Sequence, residues 1–157
     1  MINDIISSLR ESFPGGLVDV PSSQEGPKFV TVKQSQLYDV LKHLKEMGFD
    51  HLSDVTAVDY IDDNNFEIIY HLWSHSLKRR LNVKMRISRE EPTVTSVIRL
   101  WPGSQIHERK VHEMFGIVFE GNPDLSPLFL EDWEEIPPFR KDFDTREYVK
   151  RELEEVD

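Results

Sequence analysis

The sequence predicts an α+β fold: a single mixed or antiparallel sheet with helices on one face, in the order α-β-β-α-β-β-β, plus an extended C-terminal arm. Three observations point there. Apolar residues recur at helical spacing in three separate stretches, period-two alternation dominates residues 66–87, and proline and acid crowd the chain beyond residue 121.

Ile2, Ile5, Ile6, Leu9 and Phe13 form the first helical pattern, stopped by Pro14-Gly15-Gly16. Leu17 to Val20 and Phe29 to Val32 read as short strands around a polar loop, Pro21 to Pro27. Leu37, Val40, Leu41, Leu44 and Met47 mark a second helix, with Gly48 placed to end it in a left-handed turn. Asp50 to Tyr60 predicts a strand ended by the turn Asp62-Asp63-Asn64-Asn65. Phe66, Ile68, Tyr70 and Leu72 alternate along the next strand. Leu81, Val83, Met85 and Ile87 alternate against Arg80, Asn82, Lys84 and Arg86, as in a strand with one wet face. Val94 to Trp101 is expected to add a last strand. Pro102-Gly103 then breaks the chain, Ser104 is the expected N-cap of a helix through Phe115, and Gly116 closes that helix.

These elements assign residues 1–121 to an α+β domain and 122–157 to an arm. Residues 1–121 hold 17 acids and 14 bases, whereas 122–157 hold 12 acids and 5 bases. Pro123, Pro127, Pro137 and Pro138 oppose regular structure in the arm. Leu125, Phe129, Trp133, Ile136, Phe139, Phe143 and Tyr148 are too apolar for a merely disordered tail. An arm of this composition wraps a surface, either of its own domain or of a partner.

Composition narrows the function. The net charge of −10 opposes nucleic-acid binding, which needs clustered cations to displace counterions. The chain has no cysteine, so thiolate-held iron–sulfur clusters, disulfides and thiol nucleophiles are all excluded. No apolar run reaches the length of a membrane span, and the N-terminus lacks the pattern of a secretory signal, which points to the cytoplasm. No Gly-rich phosphate loop, dinucleotide fingerprint or nucleophile elbow occurs. His71 and His75 lie at the end of a strand without a carboxylate pair. Asp59, Asp62, Asp63, Asn65 and Glu67 lack the glycine of a calcium loop. Both read as structural. The cluster His107, Glu108, His112 and Glu113 could do acid–base work, sit on a solvated helix face, or pair across an interface.

The run Glu108-Arg109-Lys110-Val111-His112-Glu113-Met114-Phe115-Gly116-Ile117 is followed by Gly121-Asn122-Pro123-Asp124-Leu125. Next come Glu131-Asp132-Trp133-Glu134 and Arg140-Lys141-Asp142-Phe143. This order of blocks closely resembles the 30 kDa subunit family of respiratory complex I, the bacterial NADH–quinone oxidoreductase. Lys110, Asn122 and Glu135-Ile136 depart from that family's pattern. The resemblance implies a non-catalytic, cofactor-free subunit whose parent complex carries iron–sulfur clusters. Its implied partners are the large 49 kDa-type subunit and neighbouring iron–sulfur subunits, with only indirect membrane contact at the cytoplasmic face of the cell membrane. It also implies an interface built from Glu108, Arg109, Glu113, Phe115, Gly116, Asp124, Trp133, Arg140, Lys141 and Asp142. Relatives of this family also serve coenzyme F420-dependent dehydrogenases and energy-converting hydrogenases, so the electron donor stays open. A free-standing enzyme using His107 and Glu113, and a regulatory adaptor that shares only the fold, are the remaining alternatives.

Overall fold

The computed structural model describes residues 2–19 and 28–155. The loop expected over Pro21 to Pro27, and Val20 at the end of the strand before it, lie outside them. The elements run α1 (Ile2–Ser12), β1 (Leu17–Asp19), β2 (Lys28–Val32), α2 (Leu37–Glu46), β3 (His51–Tyr60), β4 (Asn65–Ser74), β5 (Arg79–Ser88), β6 (Thr93–Thr95), α3 (Ser104–Phe115), β7 (Val118–Glu120) and α4 (Thr145–Glu155).

The main sheet has the order β1-β2-β5-β4-β3. The pairs β3–β4 and β4–β5 are antiparallel, whereas β2 runs parallel to β5, which makes the sheet mixed. The alternation in β4 and β5 is realised as one buried face: Phe66, Ile68, Tyr70, Leu72, Leu81, Val83 and Met85 are fully buried. α1, α2 and α3 bury their apolar stripes in the same core, so the helices share one face of the sheet. The opposite face carries Arg80, Lys84 and Arg86, as the wet half of the pattern requires, but Asn82, expected among them, is buried there against the His71 ring at 2.9 Å.

The end of α2 shows how local sequence sets the geometry. The Phe49 amide donates to the Leu44 carbonyl and the Gly48 amide to the Lys45 carbonyl, each at 3.0 Å. Gly48 supplies the required positive φ of 100°, and Phe49 and Leu44 are both fully buried beside it.

Four expectations change. The strand expected over Val94–Trp101 spans only Thr93–Thr95. Beyond it Leu100 and Trp101 both bond back to the Val97 carbonyl in a turn, because Ser96 and Val97 are drawn to Glu108. β6 leaves the main sheet and pairs in parallel with β7, giving a second two-stranded sheet. Ser104 is the first residue of α3 rather than its cap, and Gly103 precedes it without a side-chain bond. The arm also holds a helix, α4. All four arm prolines precede it, and Asp144 caps it by accepting the amides of Arg146 and Glu147 at 2.9 and 3.1 Å.

Candidate functional site

The most distinctive block of the sequence lies on α3, which buries Val111, Met114 and Phe115 in the core. On the same side Glu108 is completely buried. Its Oε1 accepts the Val97 amide at 2.8 Å. Its Oε2 accepts the Ser96 hydroxyl at 2.6 Å and the Asn122 carboxamide at 2.8 Å. Burial pushes its carboxyl above the usual glutamate range, and the three donors only partly offset this. Burial, and then the charge of Glu108, push the enclosed Tyr70 phenol up as well. Glu108 therefore fastens the loop after β6 and the start of the arm to one point.

On the next residue of the helix, Arg109 donates through Nε to the Ser126 carbonyl at 3.0 Å and through Nη2 to the Pro127 carbonyl at 2.9 Å. Its Nη1 lies 3.6 Å from Asp124 Oδ2. Asp124 itself is held below its ordinary range, first by the Ser126 hydroxyl and then by the Ser126 amide. Glu113 accepts the backbone amides of Leu128, Phe129 and Leu130 at 3.1, 3.0 and 2.7 Å. The proline-broken segment has no ladder of its own, and the side chains of α3 take its place. Glu113→Ala is expected to leave the domain folded while raising amide exchange at residues 128–130 about tenfold or more, since a bond to a charged group contributes about 1.5–3 kcal/mol. Hydrogen exchange by NMR or mass spectrometry checks this; unchanged protection there would remove Glu113 as the clamp.

A second clamp lies further along the arm. The Phe139 amide donates to the Met114 carbonyl at 2.9 Å, at the open end of α3. Phe139 meets Phe115 edge to face at 5.8 Å, and Phe115 meets Phe66 in the same way at 6.1 Å. Gly116 turns the chain with φ of 78°, and a Cβ there would stand 3.1 Å from Pro137 Cγ. Gly116→Ala therefore combines a left-handed backbone with a crowded neighbour, and is expected to cost about 1–2 kcal/mol in urea unfolding.

Arg140 grips Asp142 with two guanidinium nitrogens, at 3.0 and 2.9 Å. Asp142 also reaches Arg89 at 3.1 Å, and Arg89 pairs with Asp59 at 2.8 Å. Asp59 additionally accepts the Lys141 amide at 2.8 Å. Arg89 and Arg140 both lie over the Phe66 ring, at 5.4 and 5.7 Å. Hydrogen bonding by Arg140 holds the Asp142 carboxyl below the usual range. Beyond this clamp, Trp133, Phe143 and Tyr148 form an aromatic triangle with centroids 5.1–5.7 Å apart, and Arg151 pairs with Glu135 beside it.

The ten residues assigned to an interface thus fall into a connected element joining α3 to the arm. Glu108, Arg109, Glu113, Phe115, Asp124, Arg140 and Asp142 spend their bonds or packing within the chain, and Gly116 shapes the turn. Trp133 packs in the aromatic triangle, while Lys141 contributes its backbone amide. Asp59 and Arg89, which complete the second clamp, were not among them. Their pairing joins the end of β3 to the residue after β5, and no local spacing announces it. The large exposed apolar side chains of the arm are Phe129, Ile136, Phe139, Val149 and Leu153, with Phe129, Phe139 and Leu153 each more than 60% exposed.

The acid–base cluster does not converge. His107 Nδ1 lies 3.0 Å from Asp54, which also binds Lys110 at 2.6 Å. Burial tends to raise the Asp54 carboxyl, but Lys110 outweighs it and holds the group low; burial in turn lowers His107. The His112 ring donates to the Ile117 carbonyl at 2.8 Å. Each of the four side chains is committed to a different partner. His71 bridges Thr56 and Asn82 at 2.9 Å on each side, whereas His75 faces Asp50 at 3.0 Å. Asp59, Asp62, Asp63, Asn65 and Glu67 lie around the β3–β4 turn, where Asn64 adopts a left-handed φ of 53°. Among the described residues no helix is long and apolar enough to cross a membrane.

The family model for the respiratory-chain NADH dehydrogenase 30 kDa subunit matches residues 30–149. The chain is 36% identical over 143 residues to the C subunit of NADH-quinone oxidoreductase from Moorella thermoacetica, covering 90% of this chain and 95% of that one. It is 38% identical over 138 residues to the second C subunit of NADH-quinone oxidoreductase from Rhizobium meliloti, covering 85% and 75%. Among solved structures, a chain of the membrane-bound sulfane sulfur reductase, an archaeal respiratory membrane complex, superposes with a TM-score of 0.87 and 30% identity over 99% of this chain and 92% of that one. A trypsin-resistant fragment of Nqo5 superposes with a TM-score of 0.69 and 28% identity over 79% and 98%.

Proposed function

From a chain that belongs to the 30 kDa subunit family of respiratory-chain NADH dehydrogenase, we propose a cofactor-free docking subunit that uses the α3–arm element to seat the large 49 kDa-type subunit of its complex. The observation that carries this reading is the state of the arm. It is held by two clamps to its own body, yet five of the ten large apolar side chains exposed among the described residues fall within it. A segment ordered in advance loses less conformational freedom on binding, so its exposed aromatic and aliphatic groups contribute more of their burial to affinity. The arm is at once a strap and a presenting surface.

In this reading the iron–sulfur clusters belong to neighbouring subunits, consistent with a chain that has no cysteine. Electron transfer depends on this subunit through assembly, with no reacting group of its own, and the assembly sits at the cytoplasmic face of the membrane through its partners. A coenzyme F420-dependent dehydrogenase or an energy-converting hydrogenase is a second home for the same docking element. A chain of an archaeal sulfane sulfur reductase complex, a respiratory membrane complex not named for NADH, has the same fold over 99% of this chain, so the electron-input module is left to experiment.

Purification of the tagged chain from its native membranes tests the proposal. The large subunit and iron–sulfur proteins are expected to co-purify in fixed proportion, and the co-purifying electron-input module names the donor. A chain recovered alone from gently solubilised membranes would contradict it.

A further inference from the structure

The chain carries 29 acids against 19 lysines and arginines, and Lys84, Arg86, Arg89, Arg109, Lys110 and Arg140 each pair with an acid of the chain itself. The turn between β4 and β5 breaks that pattern. Lys78, Arg79 and Arg80 follow one another there, all exposed, and among the described residues none of them reaches a carboxylate. Asp50, which meets this turn from the residue before β3, is held by His75 instead. Its Oδ1 accepts the His75 amide and its Oδ2 faces the His75 ring, each at 3.0 Å. The buried Ser74 hydroxyl accepts the Leu77 amide at 3.1 Å. The turn is thus fixed from beneath, and its cations stand outward on a frame that is already set. Apolar surface lies in the same place. The helices cover only one face of the main sheet, and Trp73 and Arg80 stand opposite each other on the uncovered one. Trp73 is only half-buried, with the His75 ring edge-on to it at 6.5 Å, and Leu77 in the turn is 41% exposed. Unpaired cations beside an outward-facing tryptophan and leucine give this end of the sheet the composition of a protein–protein contact.

We propose that this patch seats a short acidic segment of a neighbouring subunit, whose carboxylates pair with Lys78, Arg79 and Arg80 while its apolar side chains cover Trp73 and Leu77. Charge complementarity selects the occupant. Fields between exposed charges fall off within about 8–10 Å at physiological salt, so a short segment meets the local cations alone. Nucleic acid or an anionic bilayer extends far enough to meet the rest of a chain whose net charge is −10. The inference rests on this chain being one subunit of a larger complex. It does not rest on the arm, which bonds to α3 and to Asp59 near the far end of β3, whereas His51 at the near end pairs with Trp73.

The test compares Lys78 in the intact complex with Lys78 in the isolated full chain. In the complex its amine is expected to react with an acylating reagent about fivefold more slowly, because a packed partner excludes the reagent. A carbodiimide, which joins amines to carboxylates in contact, is expected to couple Lys78 to an Asp or Glu of a different subunit. The variant R79E/R80E changes only exposed side chains, so the isolated chain keeps its fold. In its complex the protection and the coupling should both be lost while the large subunit still co-purifies. Equal reactivity of Lys78 in the two samples, coupling only to acids of this chain, or protection that survives in R79E/R80E would overturn the proposal. So would protection removed by nuclease or by exchange of lipid for neutral detergent, which would give the patch to nucleic acid or to the bilayer. A chain recovered alone would contradict the docking role of the arm and this inference together, whereas an intact complex with a reactive Lys78 overturns this inference only.

Discussion

Arg89→Ala is expected to lower stability by about 3–5 kcal/mol, because it leaves a buried carboxylate without its cation. The Asp59 side chain is 1% exposed and that of Arg89 is 10% exposed, so water cannot replace the lost partner. Asp59 would keep the Lys141 amide and only the more distant charge of Arg140, and Asp142 would keep Arg140. Urea unfolding measures the loss, and the midpoint of thermal unfolding should fall by roughly 6–20 °C at ~2–4 °C per kcal/mol. Arg89→Lys keeps the charge but cannot bridge both carboxylates in a fork, so it should restore only part of the loss. The damage should also be directional. Residues 137–143 should become sensitive to protease before the sheet does, because their anchor is gone. A loss below about 1 kcal/mol would mean that this clamp is ornamental.

Glu108→Ala is expected to cost about 2–4 kcal/mol. Three donors converge on this carboxylate, and the Val97 amide and Ser96 hydroxyl sit where solvent does not reach them. Asn122 is half-buried and can turn outward, which keeps the cost below three full desolvation penalties. pH separates Glu108 from the other acids. Its folded pKa is raised above the ordinary 4.5, so the native state holds the proton more tightly than the unfolded chain. The stability it contributes is therefore full below that value and declines as pH rises through the folded pKa. Asp142 has a lowered pKa and behaves oppositely, supporting the fold above the ordinary aspartate range and failing as acid protonates it. The stability advantage of wild type over Glu108→Gln should thus narrow as pH rises from about 4.5 to neutrality. A gap that widens over that interval would refute this role for Glu108.

Much of the fold is legible in the sequence because its signals are local. The alternation in β5 names its buried face residue by residue, and Gly48 and Gly116 mark two helix ends by chemistry that works over five residues. What stays hidden depends on distant partners. Val97 to Trp101 is as apolar as a strand, yet it turns because Glu108, eleven residues after Val97, takes the Val97 amide. Helix α4 is legible in principle: Asp144 and Glu147 have cap-and-N3 spacing, and no proline follows them. The prolines upstream obscure it.

The candidate site divides in the same way. The blocks at Glu108–Gly116 and Arg140–Asp142 stand out in the sequence, but charge pairing as such does not say with whom. The structure gives most of those charges to the chain itself. The apolar groups left outward, Phe129 and Leu153 foremost, follow no period that a sequence pattern could pick out. Arg89 and Asp59 meet across 30 residues, and only the folded sheet brings them together.

The proposed docking of the arm, through its remaining apolar side chains, onto the large subunit makes a demand that capture can check. The double variant F129D/L153D is co-expressed with the large subunit, followed by affinity capture and quantitation of the pair. Both side chains are more than 60% exposed, so the isolated variant should keep wild-type stability to within about 0.5 kcal/mol. Capture of the large subunit should fall at least tenfold, corresponding to about 1.4 kcal/mol or more. Wild-type capture by a stably folded variant would contradict a presenting role for the arm.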